Sequence, residues 1–203
     1  MFNKNIKIVL WDYGGVFTDS PLKEFRKFEI LHNLPSNSIE NILANNSFDN
    51  AWAKLEKNLI SIERFSSLLK KEAASFGIKN IDPLRLLQCL DLNLNIEMVK
   101  LLSIVAKTHT CVCLTNNFKN MKQSKISYNF ETIRSNFTTV FESSKIFMRK
   151  PEQTVYKYVF NKLKVHPDQV LFIDDLGTNL KPAREMGCLT HKFLDTEETI
   201  GYV

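Results

Sequence analysis

The chain has 203 residues, 44% apolar and 24% charged, enough for one globular domain with a real core and room for an inserted subdomain. No run of about 18 apolar residues occurs, so no membrane span is expected. The formal net charge is +5, but the lysines are spread out rather than gathered into a basic arm; this argues against nucleic-acid binding and leaves a mild positive field suited to a phosphorylated metabolite.

The N-terminal Met-Phe-Asn-Lys-Asn leads into the first strand without a secretory hydrophobic region. Ile6 to Trp11 is a short apolar run that reads as a buried parallel strand. It ends in Asp12, and Gly14-Gly15 then turn the chain. In open α/β sheets ligands sit beyond the carboxyl ends of the strands. Asp12 is therefore either a residue delivered to the chemistry or the cap of a turn. Asp19 or Ser20 as N-cap, Pro21 and Glu24 then open a helix.

From there to about Leu94 the pattern is helix after helix: Leu22–His32, Ser38–Asn45, Phe48–Leu59, Ile62–Phe76 and Pro83–Leu92. Beyond Ile96 it alternates. Helices are expected over Ile96–Lys107, Pro151–Leu163 and Leu180–Met186, and strands over Thr110–Leu114, Thr138–Glu142, Val170–Ile173 and Leu189–Phe193. Such alternation predicts an α/β fold with a doubly wound, right-handed, parallel, Rossmann-like sheet. Residues 1–18 and 96–203 form its core, and 19–95 an all-helical insert. Cys89, Cys111, Cys113 and Cys188 show neither metal-site spacing nor a disulfide framework; free thiols in a cytoplasmic protein are expected.

Four strand-end features fall where such sheets bind ligands: Asp12, Thr115-Asn116, Lys150 and Asp174-Asp175. Each alone has a blander reading, as a helix cap or a surface lysine. Together they supply a carboxylate nucleophile, hard oxygen ligands for Mg²⁺, and a lysine with a hydroxyl/amide pair for phosphoryl oxygens.

In that order the motifs resemble those of the haloacid dehalogenase (HAD) superfamily, in the group with a helical cap after the first strand. Leu10-Trp11-Asp12-Tyr13-Gly14-Gly15-Val16 is similar to the first motif and Leu114-Thr115-Asn116-Asn117 to the second. Arg149-Lys150-Pro151-Glu152 resembles the third, and Phe172-Ile173-Asp174-Asp175 with Asn179-Leu180-Lys181-Pro182-Ala183-Arg184 the fourth. Trp52, Leu55, Glu56 and Ile60-Ser61 resemble a cap segment of the same branch, which includes the bacterial α-D-glucose-1-phosphate phosphatase type and the phosphatase domain of soluble epoxide hydrolase.

The resemblance implies an Mg²⁺-dependent phosphatase acting on a small phosphorylated metabolite, such as a sugar phosphate, as monomer or homodimer. Asp12 would become phosphorylated. Asp12, the Gly14 carbonyl and Asp175 would ligate Mg²⁺, with Asp174 behind them or as a minor ligand. Thr115 and Asn116 would hold phosphate oxygens, and Lys150 would bridge Asp12 and the phosphoryl group.

Three positions depart from the pattern. Gly14 stands where most phosphatases of the family carry an acid/base Asp, a loss of roughly 10²–10⁴-fold in rate. That predicts a preference for good leaving groups such as anomeric, acyl or aryl phosphates, with Asp19 as an alternative acid or simply a helix cap. Phe147 replaces a usual Gly, where its ring would reshape the Lys150 loop or pack on the cap, and Lys145 replaces a frequent acid. The competing expectations are a catalytically impaired binding or regulatory protein and, with metal-free chemistry, a haloacid dehalogenase.

Overall fold

A computed structural model describes residues 5–119 and 125–203; the first four residues of the N-terminal stretch considered above lie outside them. In chain order the elements are β1 (Ile8–Trp11), α1 (Pro21–Leu31), α2 (Ser38–Ala44), α3 (Ala51–Glu56), α4 (Ile62–Ser75), α5 (Pro83–Gln88), α6 (Ile96–Val105) and β2 (Thr110–Thr115). They continue with α7 (Lys125–Arg134), β3 (Thr139–Glu142), α8 (Ser143–Ile146), α9 (Gln153–Leu163), β4 (Val170–Asp174), α10 (Gly177–Glu185), β5 (Leu189–Lys192) and α11 (Thr196–Tyr202).

The strands form one parallel sheet in the order β3-β2-β1-β4-β5. Strand side chains alternate between faces, and each face carries its own core. Val9, Trp11, Cys111, Cys113, Leu171 and Ile173 pack with Met98, Leu101, Leu102 and Val105 of α6. Ile8, Leu10, Val112, Leu114, Val170 and Phe172 pack on the other side with α9 and α10. The order reverses between β1 and β4, the switch point at which such sheets open a crevice.

A third apolar cluster belongs to the helices between β1 and α6. Phe25, Phe28, Ile39, Ile42, Trp52, Phe65, Leu69 and Leu86 pack there, joined by Phe118 from beyond β2. The chain enters and leaves this helical insertion through paired segments. Thr18 bridges Leu94, Asp19 N–H bonds the Asn93 carbonyl at 3.0 Å, and Asn95 N–H bonds the Phe17 carbonyl at 2.8 Å.

The element bounds differ from expectation where local capping decides them. α3 starts at Ala51 rather than Phe48 because the Asn50 side chain accepts the Ala53 N–H at 2.8 Å. It ends before Asn58, whose φ is 54°. α10 begins at Gly177, three residues early, and α5 stops at Gln88. Helices α7, α8 and α11 are additions to the expected set. Cys111, Cys113 and Cys188 are buried thiols and Cys89 is half-buried; all four are unpaired. No helix among the described residues is long and apolar enough to cross a membrane.

Phe65 is fully buried and meets the Trp52 ring at 5.9 Å. Phe65→Ala should cost about 3–5 kcal/mol of stability, measured as a lowered midpoint of urea unfolding.

Candidate active site

The carboxyl ends of β1 and β4 lie side by side, with Trp11 opposite Ile173 and the Asp12 N–H on the Ile173 carbonyl at 2.9 Å. This pairing brings Asp12, Asp174 and Asp175 together: one carboxylate oxygen from each falls within a sphere of contacts no longer than 4.8 Å. Lys150 enters the same place from the loop between α8 and α9. Its Nζ lies 2.6 Å from Asp12 Oδ1 and 2.7 Å from Asp174 Oδ2, and the side chain is 1% exposed. It also stands over the Phe172 ring, 5.6 Å from the centroid.

The two adjacent acids do different things. Asp174 is fully buried; its Oδ1 accepts the Leu176 N–H at 2.8 Å, and the Asn179 amide donates to both its oxygens at 3.0 and 3.1 Å. Asp175 faces a cavity of about 900 Å³ that Asp12, Gly14, Thr115, Asn116 and Lys150 also line, and Asp174 does not. Asp12 Oδ1 accepts the Tyr13 N–H at 2.7 Å in addition to Lys150. Among the described residues no donor reaches its Oδ2.

Burial raises the Asp12 carboxyl well above the usual range, with repulsion from Asp174 and Asp175 adding to it and Lys150 opposing. Burial, then Asp174, pushes Asp175 up to about 7. Burial opposes the charge of Lys150, but the Asp12 and Asp174 carboxylates outweigh it and hold the ammonium more firmly than in water. Three carboxylates against one ammonium leave a buried excess of negative charge. A hard divalent cation fits such an all-oxygen donor set.

Of the second-motif pair, Asn116 is spent on placing Lys150. Its amide donates to the Lys150 carbonyl at 2.9 Å and accepts the Lys150 N–H at 3.0 Å. The Thr115 hydroxyl, also at the cavity, makes only a long bond, 3.4 Å, to the Asn116 carbonyl. Asn117 ties the ends of β2 and β3 together through Glu142 at 2.7 Å and Ser144 at 2.8 Å.

Gly14 and Gly15 differ in kind. Gly15 has φ +79°, and a Cβ there would overlap the Asp175 carboxylate. A Cβ on Gly14 would meet nothing nearer than Pro21 Cγ at 3.9 Å.

Asp19 is neither a cap nor a cavity residue. Ser20 occupies the N-cap position without a side-chain bond, and Asp19 Oδ2 accepts from Asn93 at 2.9 Å. Phe147 ends α8 at φ 58°, the conformation a glycine favours, with its ring 56% exposed. Lys145 pairs with Glu142 at 2.5 Å on the surface.

Two groups of residues have roles that the motifs containing several of them do not reveal. One is Asn179, part of the fourth motif, whose amide holds Asp174. The other joins the insertion to the sheet. Arg149 Nε meets Glu56 Oε2 at 2.5 Å and its Nη1 donates to the Ser47 carbonyl at 2.7 Å. Lys57 pairs with Glu152 at 2.8 Å, and the Ser143 hydroxyl donates to the Glu56 carbonyl at 2.8 Å.

The family model for haloacid dehalogenase-like hydrolases matches residues 96–192. Over that stretch, a little under half of its length, the chain is similar to that family. Bifunctional epoxide hydrolase 2 of Rattus norvegicus is 38% identical over 93 residues, 45% of this chain and 17% of that protein's length. Acyl-CoA dehydrogenase family member 10 of Mus musculus is 26% identical over 201 residues, 97% of this chain and 18% of the other. An HAD family enzyme from Bacteroides thetaiotaomicron, solved with magnesium and inorganic phosphate, superposes with a TM-score of 0.63 at 21% identity, covering 92% of this chain and 93% of that one. An L-2-haloacid dehalogenase from Xanthobacter autotrophicus with chloropropionic acid covalently bound gives 0.64 at 17% identity, over 95% and 80%. At these identities the solved structures share the HAD fold.

A carboxyl with a raised folded-state pKa contributes stability below its unfolded value, and that contribution is lost as pH rises through the folded one. For Asp175 the window runs from 3.8 to about 7. In EDTA, the stability of Asp175→Asn relative to the wild type should therefore rise across that window, measured by paired denaturant titrations at several pH values.

Proposed function

We propose that this chain is an Mg²⁺-dependent phosphatase acting on a small phosphorylated metabolite through an aspartyl-phosphate on Asp12. The observation that carries the reading is the convergence of Asp12, Asp174 and Asp175 around the single ammonium of Lys150. Asp12, Asp175 and the Gly14 carbonyl would hold the ion, with Asp174 behind them. Bound there, Mg²⁺ supplies neutralisation of the attacking carboxylate and of the phosphoryl oxygens. The magnesium and inorganic phosphate of the Bacteroides thetaiotaomicron relative support the same assignment.

Asp12 Oδ1 is held by the Tyr13 N–H and Lys150, which leaves Oδ2 to attack. Its bond to phosphorus forms as the ester P–O bond breaks, and the leaving oxygen departs with the electron pair. Lys150 and the Thr115 hydroxyl steady the equatorial oxygens, where transition-state charge collects. Water then attacks phosphorus, cleaves the acyl phosphate, and frees inorganic phosphate and Asp12. The helical insertion, residues 19–95, acts as a cap over the cavity and selects the substrate. The unpaired thiols suit a reducing cytoplasm.

Displacement of halide from carbon by the same aspartate needs no cation, so it leaves the three-carboxylate cluster without a purpose. Hydrolysis of p-nitrophenyl phosphate should require Mg²⁺, stop in EDTA, and fall about 10³-fold or more in Asp12→Asn. Chloride release from 2-chloropropionate that persists in EDTA would instead select the dehalogenase.

A further inference from the structure

The chemistry of the cavity beyond the carboxylate cluster narrows the substrate. A phosphoryl group occupies only a small part of about 900 Å³, a volume typical of sites for drug-sized ligands. The wall supplied by the insertion is mostly apolar: Phe25, Leu43, Trp52, Leu90 and Leu92 line it beside Glu40, Ser47 and Glu56, with Phe118 from the sheet side. Phe25 and Trp52 meet edge to face at 5.8 Å and 88°, and Phe65 backs Trp52, so the aromatic wall is held rigidly. A sugar ring laid on the Phe25 and Trp52 faces would set hydroxyls against apolar carbon, at a cost.

Among the described residues, no acid of the cavity is left free to protonate a leaving oxygen. Gly14 has no side chain. Glu56 accepts from both Trp52 Nε1 at 2.8 Å and Arg149. Glu40 is paired with Arg26 at 3.3 Å, and Glu185 is an exposed residue at the far end of α10 beside Lys181. Asp175 belongs to the carboxylate cluster, and Asp19 points elsewhere, to Asn93. The leaving group must therefore depart as a stable anion. A phenol ionises near pKa 10, as tyrosine does, so its oxyanion leaves without a proton; an aliphatic alcohol does not meet that condition.

Resting on the phosphatase reading, we infer that the substrate is an aryl phosphate, a phosphomonoester whose aromatic body lies against Phe25 and Trp52 and whose oxygen leaves as a phenolate. In the first step the Asp12 O–P bond forms and the aryl O–P bond breaks with the electron pair on the phenolate. In the second, the oxygen of water bonds to phosphorus as the Asp12 O–P bond breaks with its electron pair on the carboxylate, and the protons of water pass to phosphate and solvent.

The test is kcat/KM with Mg²⁺ for 1-naphthyl, phenyl, hexyl and acetyl phosphates and for glucose 1- and 6-phosphates, in the wild type, Asp12→Asn, Gly14→Asp and Trp52→Leu. The 1-naphthyl ester should exceed the hexyl ester by about 10²-fold or more and exceed both glucose phosphates. Gly14→Asp, which the open space at that Cβ accommodates, should supply an acid and shrink the aryl-to-alkyl ratio at least tenfold. Trp52→Leu should raise KM for 1-naphthyl phosphate while inhibition by inorganic phosphate is retained; Phe25→Leu gives the same readout should that variant not fold. Asp12-dependent hydrolysis that favours hexyl or glucose phosphates overturns the aryl assignment and leaves the phosphatase standing. Absence of Asp12-dependent hydrolysis of every ester, acetyl phosphate included, overturns the phosphatase itself.

Discussion

A single buried ammonium, Lys150, set between the carboxylates of Asp12 and Asp174, governs how the rest of the molecule is arranged. Removing any of these charges from water is costly unless each is paired and hydrogen-bonded. The surrounding chain meets that demand in detail. Asn116 clamps the main chain of Lys150 through two hydrogen bonds. Asn179 and the Leu176 N–H saturate Asp174, and Tyr156 fixes Asn179 by donating to its carbonyl at 2.6 Å. The central strands β1 and β4 supply the two acids from adjacent ends of the sheet, where the order of connection reverses.

The pairing is incomplete by design of the donor set. Asp174 is fully satisfied, whereas Asp12 and Asp175 are both raised by burial and by neighbouring carboxylates, Asp174 for each and Asp175 for Asp12 as well. A site with two such carboxylates turned to one cavity gains from a divalent cation, and it gains nothing comparable from a neutral organic halide. That asymmetry favours phosphoryl over carbon chemistry, since the charge to be neutralised in phosphoryl transfer lies on the substrate oxygens. The insertion is coupled to the same loop. Arg149, next to Lys150, is pinned to Glu56 and Ser47, so the lysine loop and the wall of the cavity move together or not at all.

The sheet was legible in the sequence because its strands are apolar runs that stop at polar residues, a pattern parallel strands impose when both faces are covered. The same pattern placed Asp12, Thr115, Asp174 and Asp175 in one neighbourhood, which Lys150 joins from the loop between α8 and α9. Their division of labour was not legible. Asp174 and Asp175 are neighbours in the chain, and only the alternation of the strand decides that the first turns inward and the second faces the cavity. The occupation of the Asn116 amide by the main chain of Lys150 spans 34 residues and leaves no local trace. The α8 turn ending at Phe147 runs against propensity, because a bulky residue there adopts a backbone suited to glycine. α11 lacks the apolar stripe that made α4 readable; it is held by its Asp195 cap and by Thr196 accepting from Asn95 at 2.8 Å.

Gly14 and Gly15 show most directly how identical letters carry different constraints. Gly15 is demanded by the fold: its left-handed backbone and the carboxylate of Asp175 where a Cβ would sit exclude other residues. Gly14 sits in an ordinary conformation with room beside it, so neither strain nor crowding explains the absence of a side chain. What that absence changes is chemical. In the proposed phosphatase an acid at this position would stand at the cavity beside Asp12, and without one the electrostatics of Lys150 and a bound cation would have to carry the reaction. Such a site stabilises charge on the phosphoryl oxygens but does nothing for a poor leaving group. The selectivity of the enzyme is therefore written as much by the side chain missing at Gly14 as by the aromatic wall opposite it.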